Sequence, residues 1–287
     1  MQIDTSQHYR VALKPVQHTI IMLVGAGGTG SALAIDLARL LYHIREQGQS
    51  IHMQIIDPDV VEPKNVGRQQ FSPFDVGQKK AVSMAERLNL WLGLDVMAVP
   101  EPFDANMPVM MPEYRNRSVR YILVGAVDNH QARTAMRDYI KSRQNSGDWW
   151  WVDAGNGEYT GQVLVGNITA GKVSLNSAFG LINGLPAPSV QMPELLQEEE
   201  TAVAEPQLDC ALAAIRDEQS LNVNRLMAVY AAQYVYDIVV RHELTTMGAF
   251  VSLSPPSANS RSITKQSLER FSSADFSVEV LKGGIYK

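Results

Sequence analysis

The chain has one cysteine, Cys210, among 287 residues. No disulfide can close within it, and a zinc site built from paired CxxC motifs is excluded, so no zinc is expected. Its apolar runs are short, far below the roughly 20 residues that cross a bilayer as a helix. The opening "MQIDTSQHYR" lacks the apolar stretch of a signal peptide. These absences set the expectation of a cytoplasmic protein with no membrane partner. Lysine and arginine total 25 against 30 acids and form no basic block, so no nucleic-acid partner is expected. His8, His18, His43, His52, His130 and His242 are scattered, without the spacing of metal ligands. At 45% hydrophobic and 19% charged residues, the chain is globular and can bury a sizeable core as one large domain or two small ones.

What is present is an alternation of short apolar runs and amphipathic stretches. Residues 19–24 read as a fully buried strand, followed by glycines and a helix opening at Ser31, with Leu33, Leu37, Leu40, Leu41 and Ile44 on one face. Gly48 stops that helix, and 51–56 form a second strand ending at Asp57. Ala81, Ala85, Leu88 and Leu92 mark another helix ending at Gly93. Strands are expected at 95–99, 119–124, 149–152 and 162–165, the last antiparallel, with a helix over 129–142. The fold class is therefore α/β: a Rossmann-like, doubly wound, mostly parallel sheet with helices on both faces and antiparallel strands in the C-terminal half.

The rest reads less regularly. Residues 169–206 hold several prolines and the run "QEEE", as a crossover loop or lid would. Ser220 is a candidate cap for a helix reaching about residue 243, apolar on most sides and so buried in the core or against a second subunit. "VSLSPPSANSRS" reads as a Ser/Pro linker. The expected division is a domain over 1–248 and a linker with a C-terminal tail over 249–287, the tail either adding a short helix and strand or lying loose.

The chemistry starts at "IIMLVGAGGTGS". Gly25, Gly27 and Gly30 fit GxGxxG: a tight turn, a backbone close enough to touch phosphate, and close helix–strand packing. The helix start offers free amides to an anion, or the turn carries no ligand at all. Asp57, ending the next strand, stands where such folds bind ribose hydroxyls, and NAD, FAD and ATP all carry that ribose. The following stretch, "DPDVVEPKNVGRQQFSPFDVGQKKA", brings Asn65, Arg68, Gln69, Lys79 and Lys80 toward the phosphate seat. Arginine forks onto phosphate oxygens and lysine acts as a movable point charge, a set that suits a triphosphate better than a dinucleotide pyrophosphate. In "LVGAVDNHQAR", Asp128 sits in a strand–helix turn at the crevice, placed to hold Mg²⁺ or to cap the helix.

GAGGTGS, DPDVVEPKNVGRQ, DVGQKKA and VGAVDNxxxR, in that order and spacing, resemble the ThiF/MoeB family, relatives of ubiquitin-activating enzymes, and more narrowly the ThiF-type proteins of bacterial PRTRC plasmid-associated systems. The resemblance covers residues 20–133 well and continues more weakly through "LDCALAAIRDEQSLNVNRLMAVYAAQYV". It implies ATP-dependent adenylation of the C-terminal carboxylate of a small ubiquitin-like protein ending in Gly-Gly, with release of pyrophosphate. It implies ribose binding by Asp57, a nucleotide lined by Gly27 and Gly28, a triphosphate held by Asn65, Arg68 and Lys80, and Mg²⁺ on Asp128. It further implies a homodimer, with Arg10 a candidate for the arginine that relatives lend across subunits.

Cys210 falls near a cysteine that some relatives use to take the acyl group as a thioester or acyl-disulfide. Asp209 beside it disfavours the thiolate, and a small buried hydrophobe is the other reading. Two rival functions share the glycine turn. An NAD(P)-dependent oxidoreductase would also use Asp57 but leaves Arg68, Lys80 and Asp128 unexplained. A non-catalytic ATP-binding module would not need the complete polar set.

Overall fold

The computed structural model describes residues 7–109, 118–198 and 210–281, with the side chains of 210–221 outside the description. In chain order the elements are β1 (Val11–Ala12), β2 (His18–Val24), α1 (Gly28–Glu46), β3 (Ser50–Ile56), α2 (Lys80–Leu92), β4 (Met97–Val99), β5 (Val119–Gly125), α3 (His130–Arg143), β6 (Asp148–Asn156) and β7 (Thr160–Gly166). There follow β8 (Gly171–Asn176), β9 (Leu181–Ile182), α4 (Pro188–Gln191), α5 (Cys210–Tyr236), β10 (Glu243–Leu244), β11 (Thr246–Leu253), β12 (Pro256–Ser262), α6 (Lys265–Glu269) and β13 (Phe276–Leu281).

The main sheet has eight strands in the order β12-β11-β7-β6-β5-β2-β3-β4. Pairings from β6 through β5, β2 and β3 to β4 are parallel; β7, β11 and β12 continue the sheet antiparallel. The expected class, a doubly wound sheet with antiparallel strands in the C-terminal half, is what the chain adopts.

The alternation of side chains along β2 explains its unbroken apolar run. Ile21 and Leu23 enter a core with α1, α2 and α5, whereas Ile20, Met22 and Val24 enter a second core with α3. Both faces of the strand are buried, so neither row can be polar. Trp149, Trp150 and Trp151 follow the same rule on β6, each buried in one of the two cores.

Three readings are corrected. The segment over 169–206 is not one irregular loop: its described part contains β8, β9 and α4, and β8 pairs in parallel with β13 in a second, three-stranded sheet. Its partner strand lies about a hundred residues away, so nothing local announces it. Residues 199–206, with most of the acidic run, lie outside the described residues. The Ser/Pro linker is β11 and β12, an antiparallel hairpin turning at Ser254 and Pro255. The boundary drawn at 248/249 falls within β11. Proline and exposed serines are tolerated there because β12 is the edge strand, with one free side and largely exposed residues. The long helix starts at Cys210, not at Ser220; "CALAAIRDEQSLNVN" holds neither glycine nor proline to stop a helix running through Ser220. Downstream, α6 and β13 supply the short helix and strand expected of the tail.

Candidate active site

β2 ends at Val24 and the chain turns sharply at Gly25, whose φ of 95° belongs to the left-handed region. A side chain at Gly25 would strike the Ala126 carbonyl, and one at Gly30 the Gly25 carbonyl. Gly27 faces open space: a Cβ there meets nothing within 4 Å. Helix α1 then begins with no side-chain cap and no acidic residue in its first turn. Its amides and positive end are left for an anion.

Asp57, just past β3, braces this turn. One carboxylate oxygen accepts the Ala26 N–H at 2.6 Å and the other the Asp59 N–H at 2.9 Å. Burial pushes its pKa up, opposed by these two amides and by Lys80. The ribose-binding candidate therefore also positions the glycine turn and the Asp59 loop.

Arg68 and Gln69 follow the short turn Pro63–Asn65. Asn65 Oδ1 accepts the Glu62 N–H at 2.8 Å, and its carbonyl accepts the N–H groups of Arg68 and Gln69. Asn65 thus shapes the loop that carries both residues. It does not itself line the cavity, and neither does Gly30, which packs beneath the turn. Ser31, rather than opening the helix, accepts the Gln70 N–H at 3.1 Å and pins this loop to α1.

Lys80 is buried at the start of α2, and its Nζ lies 2.9 Å from Asp59 Oδ2. Its neighbour Lys79 stands just before that helix, with no capping bond to it, and donates instead to the Pro58 carbonyl. Of the adjacent lysines, only Lys80 reaches the cavity. At the end of β5, Asn129 caps α3, accepting the Ala132 N–H at 2.8 Å. Asp128 is released from that role; it is exposed and lines the cavity. Arg133, buried against Asp153 at 3.2 Å, donates to the Val127 carbonyl and holds the Asp128 turn from below. Burial raises the pKa of Asp153, and Arg133 opposes the shift.

Gly25, Gly27, Gly28, Asp57, Arg68, Gln69, Lys80 and Asp128 line one cavity of about 600 Å³ at the carboxyl ends of the strands. Sequence reasoning missed several of its other walls. Pro102, Phe103 and Val127 supply apolar surface, and Asp59, Thr29, Asn156 and Asn224 supply polar groups. Asn156 belongs to no motif, Asn224 lies in the weaker part of the resemblance, and the two come together only because β6 and α5 fold together.

Among the described residues no cluster of three or more His, Cys, Asp or Glu could hold a metal by itself. Asp128 and Asp59, each exposed at this cavity, still suit Mg²⁺, which usually takes one or two carboxylates and completes its shell with phosphates and water. Arg10 pairs with Glu243 at 2.6 Å and lies outside the cavity lining. Cys210 is the first residue of α5, and its side chain lies outside the described residues.

A glycine turn at a bare helix start, with cations and carboxylates converging on the carboxyl ends of a parallel sheet, defines a nucleotide-binding α/β protein. The chain belongs to the ThiF family, whose family model matches residues 5–270. Among solved structures it is similar to PaaA, at 15% identity and TM-score 0.50 over 87% of this chain and 65% of that one. It is likewise similar to E. coli MccB, at 15% identity and TM-score 0.55 over 94% of this chain and 68% of MccB. MccB with ATP gives TM-score 0.52 at 16% identity, over 86% of this chain and 64% of that one. The chain thus spans just under two thirds of the length of PaaA and of the ATP complex. No curated protein sequence matches it. Among the described residues, no helix is long and apolar enough to cross a membrane.

Proposed function

We propose that the chain adenylates the C-terminal carboxylate of a small ubiquitin-like protein ending in Gly-Gly, using ATP and Mg²⁺. One carboxylate oxygen attacks the α-phosphorus. The bond from that phosphorus to the bridging oxygen breaks, and acyl-AMP and pyrophosphate result. The observation that carries the reading is that Arg68, Lys80 and Asp128 line one cavity with the glycine turn and Asp57. Membership of the ThiF family and likeness to MccB, whose crystal structure with ATP is among the similar ones, favour ATP over a nicotinamide dinucleotide.

In this reading the apolar wall at Phe103 takes the base, Asp57 the ribose, and the α1 start the α-phosphate. Arg68 and Lys80 neutralise the β- and γ-phosphates, with Lys80 moving from Asp59 to phosphate. Two anions must meet, and fixed donors lower that barrier without a nucleophilic side chain. Mg²⁺ on Asp128 would supply further charge neutralisation. Gln69 adds a neutral donor beside Arg68, and Asn65 acts by holding both.

A homodimer in the cytoplasm fits the same reading, with the apolar side chains that α5 exposes, Val229 and Tyr236, as interface candidates. So does passage of the acyl group to Cys210. In a Cys210→Ala protein adenylation should persist and any reducible adduct with the carrier should vanish; an adduct that survives removes Cys210.

The test is affinity capture of partners followed by intact mass spectrometry with ATP and Mg²⁺. A small protein whose C-terminus gains the mass of AMP supports the reading. ATP bound without turnover whatever carrier is supplied, or turnover of a nicotinamide cofactor, defeats it.

A further inference from the structure

The cavity follows the carboxyl ends of four strands: Asp57 after β3, the glycine turn after β2, Asp128 after β5 and Asn156 ending β6. Its cations, Arg68 and Lys80, both come from the chain between β3 and the start of α2. None of the charged residues lining it stands on β6 or α5. That end is built instead from Thr29, Asn156 and Asn224, all uncharged.

The three side chains form one cluster. Thr29 Oγ1 lies 3.2 Å from Asn224 Oδ1 and 3.4 Å from Asn156 Oδ1. A hydroxyl has a single hydrogen, so Thr29 serves one carboxamide oxygen at a time while both turn toward it. Both Nδ2 groups consequently turn away from Thr29. Neither has a hydrogen-bond partner among the described residues. Asn224 Nδ2 lies directly over the turn: a Cβ on Gly28 would collide with it. The glycine here leaves room for a carboxamide beside the phosphate seat.

We propose that Asn156 and Asn224 hold the terminal carboxylate of the acyl substrate in line with the α-phosphorus. The inference rests on the adenylation reading and adds to it the residues that receive the second substrate. With pyrophosphate leaving toward Arg68 and Lys80, the attacking oxygen must arrive from the opposite side, where β6 and α5 stand. The chemistry asks for neutral donors there. The carboxylate gives up its charge as the acyl–phosphate bond forms, so a lysine or arginine would stabilise the starting anion more than the transition state and slow the step. A carboxamide N–H orients the anion without a formal counter-charge and still serves the acyl carbonyl oxygen that replaces it.

The experiment compares three ligands by calorimetry on the full chain: ATP, 5′-sulfamoyladenosine, and 5′-O-(N-acetylglycylsulfamoyl)adenosine, which mimics an acyl-adenylate. The acylated compound should bind the wild-type protein about tenfold more tightly than sulfamoyladenosine, the worth of one or two ordinary hydrogen bonds. In Asn156→Ala/Asn224→Ala that gain, taken as the ratio of the two sulfamoyl compounds' affinities within the variant, should disappear while ATP still binds. Retained ATP binding reports that the variant is folded. Should the double variant unfold, exposed Asn156→Ala alone carries the same comparison at about half the effect. A gain that survives the substitutions overturns the proposal, as does a wild-type protein that binds ATP but gains nothing from the acyl group; in both cases the adenylation reading stands. A wild-type protein that binds none of the three defeats that reading itself.

Discussion

Lys80 Nζ lies 2.9 Å from Asp59 Oδ2, and the two partners are unequally placed: the lysine side chain is 9% exposed and the aspartate 63%. The cation is held in the wall of the cavity while its counter-ion is solvated and can be exchanged. In the proposed reaction, a triphosphate entering the cavity has only a surface carboxylate to displace from this lysine.

Lys80→Ala should lower ATP–pyrophosphate exchange by about 10²–10³, the usual effect of removing one positioned donor. Asp128→Ala should do the same, and chelation of Mg²⁺ should abolish exchange in the wild-type protein. Circular dichroism should show both variants folded: Asp59 and Asp128 are exposed, and the buried Asp57 keeps the Ala26 and Asp59 amide hydrogen bonds when Lys80 is removed. Normal exchange in either variant would remove that residue from the chemistry.

Gly27 and Gly30 should fail differently. A methyl group at Gly30 meets the Gly25 carbonyl, a backbone group that cannot swing aside, so Gly30→Ala should lose about 1–3 kcal/mol in urea unfolding, the range for overpacking. Gly27→Ala adds its methyl to open cavity and should unfold at the wild-type urea concentration while losing ATP affinity. Equal stability losses for the two would contradict the placement of the turn.

The buried pair Arg133–Asp153 gives a third expectation. Arg133→Met leaves Asp153 buried without its partner and should cost about 3–5 kcal/mol. Adding Asp153→Asn should recover much of that loss, because the uncompensated charge is gone. A double variant as unstable as Arg133→Met would show that packing, not charge, sets the cost.

Asp75 should make part of the stability acid-sensitive. Burial would raise its pKa, but hydrogen bonds from the Ser83 hydroxyl and from the Ser72 backbone and hydroxyl together outweigh burial and lower it below the ordinary 3.8. A carboxyl whose folded pKa is depressed stabilises the fold above its unfolded pKa, and the benefit fades as pH falls through the folded value. Asp75→Asn should therefore be less stable than wild type at pH 7 by about 1 kcal/mol, as for loss of a cap. The difference should shrink below about pH 4. Urea midpoints at pH 7 and pH 3 give the comparison, and an unchanged difference would remove Asp75 as its source.

The parallel half of the sheet was legible because burial on both faces leaves continuous apolar runs such as "TIIMLV", and those of β2, β3 and β5 end at Gly25, Asp57 and Gly125. The phosphate side of the cavity was legible for a related reason: Asp57, Arg68 and Lys80 all lie within one crossover from the glycine turn. What sequence could not reveal depends on pairing across distance. β8 finds β13, the serine-rich β12 is a strand only because β11 lies beside it, and Asn156 meets Asn224 through the packing of α5 on β6. Asn65 shows a different limit: its residue type suited phosphate, but its side-chain oxygen is taken by the Glu62 amide.

Helix α5 carries Asn224 at the cavity and starts at Cys210, some four turns and about 21 Å earlier. An intact helix holds the backbone of Cys210 at that distance along the axis from Asn224. A relay from adenylate to sulfur would thus require the first turns of that helix to melt and fold back, or the tip of a neighbouring copy to reach across.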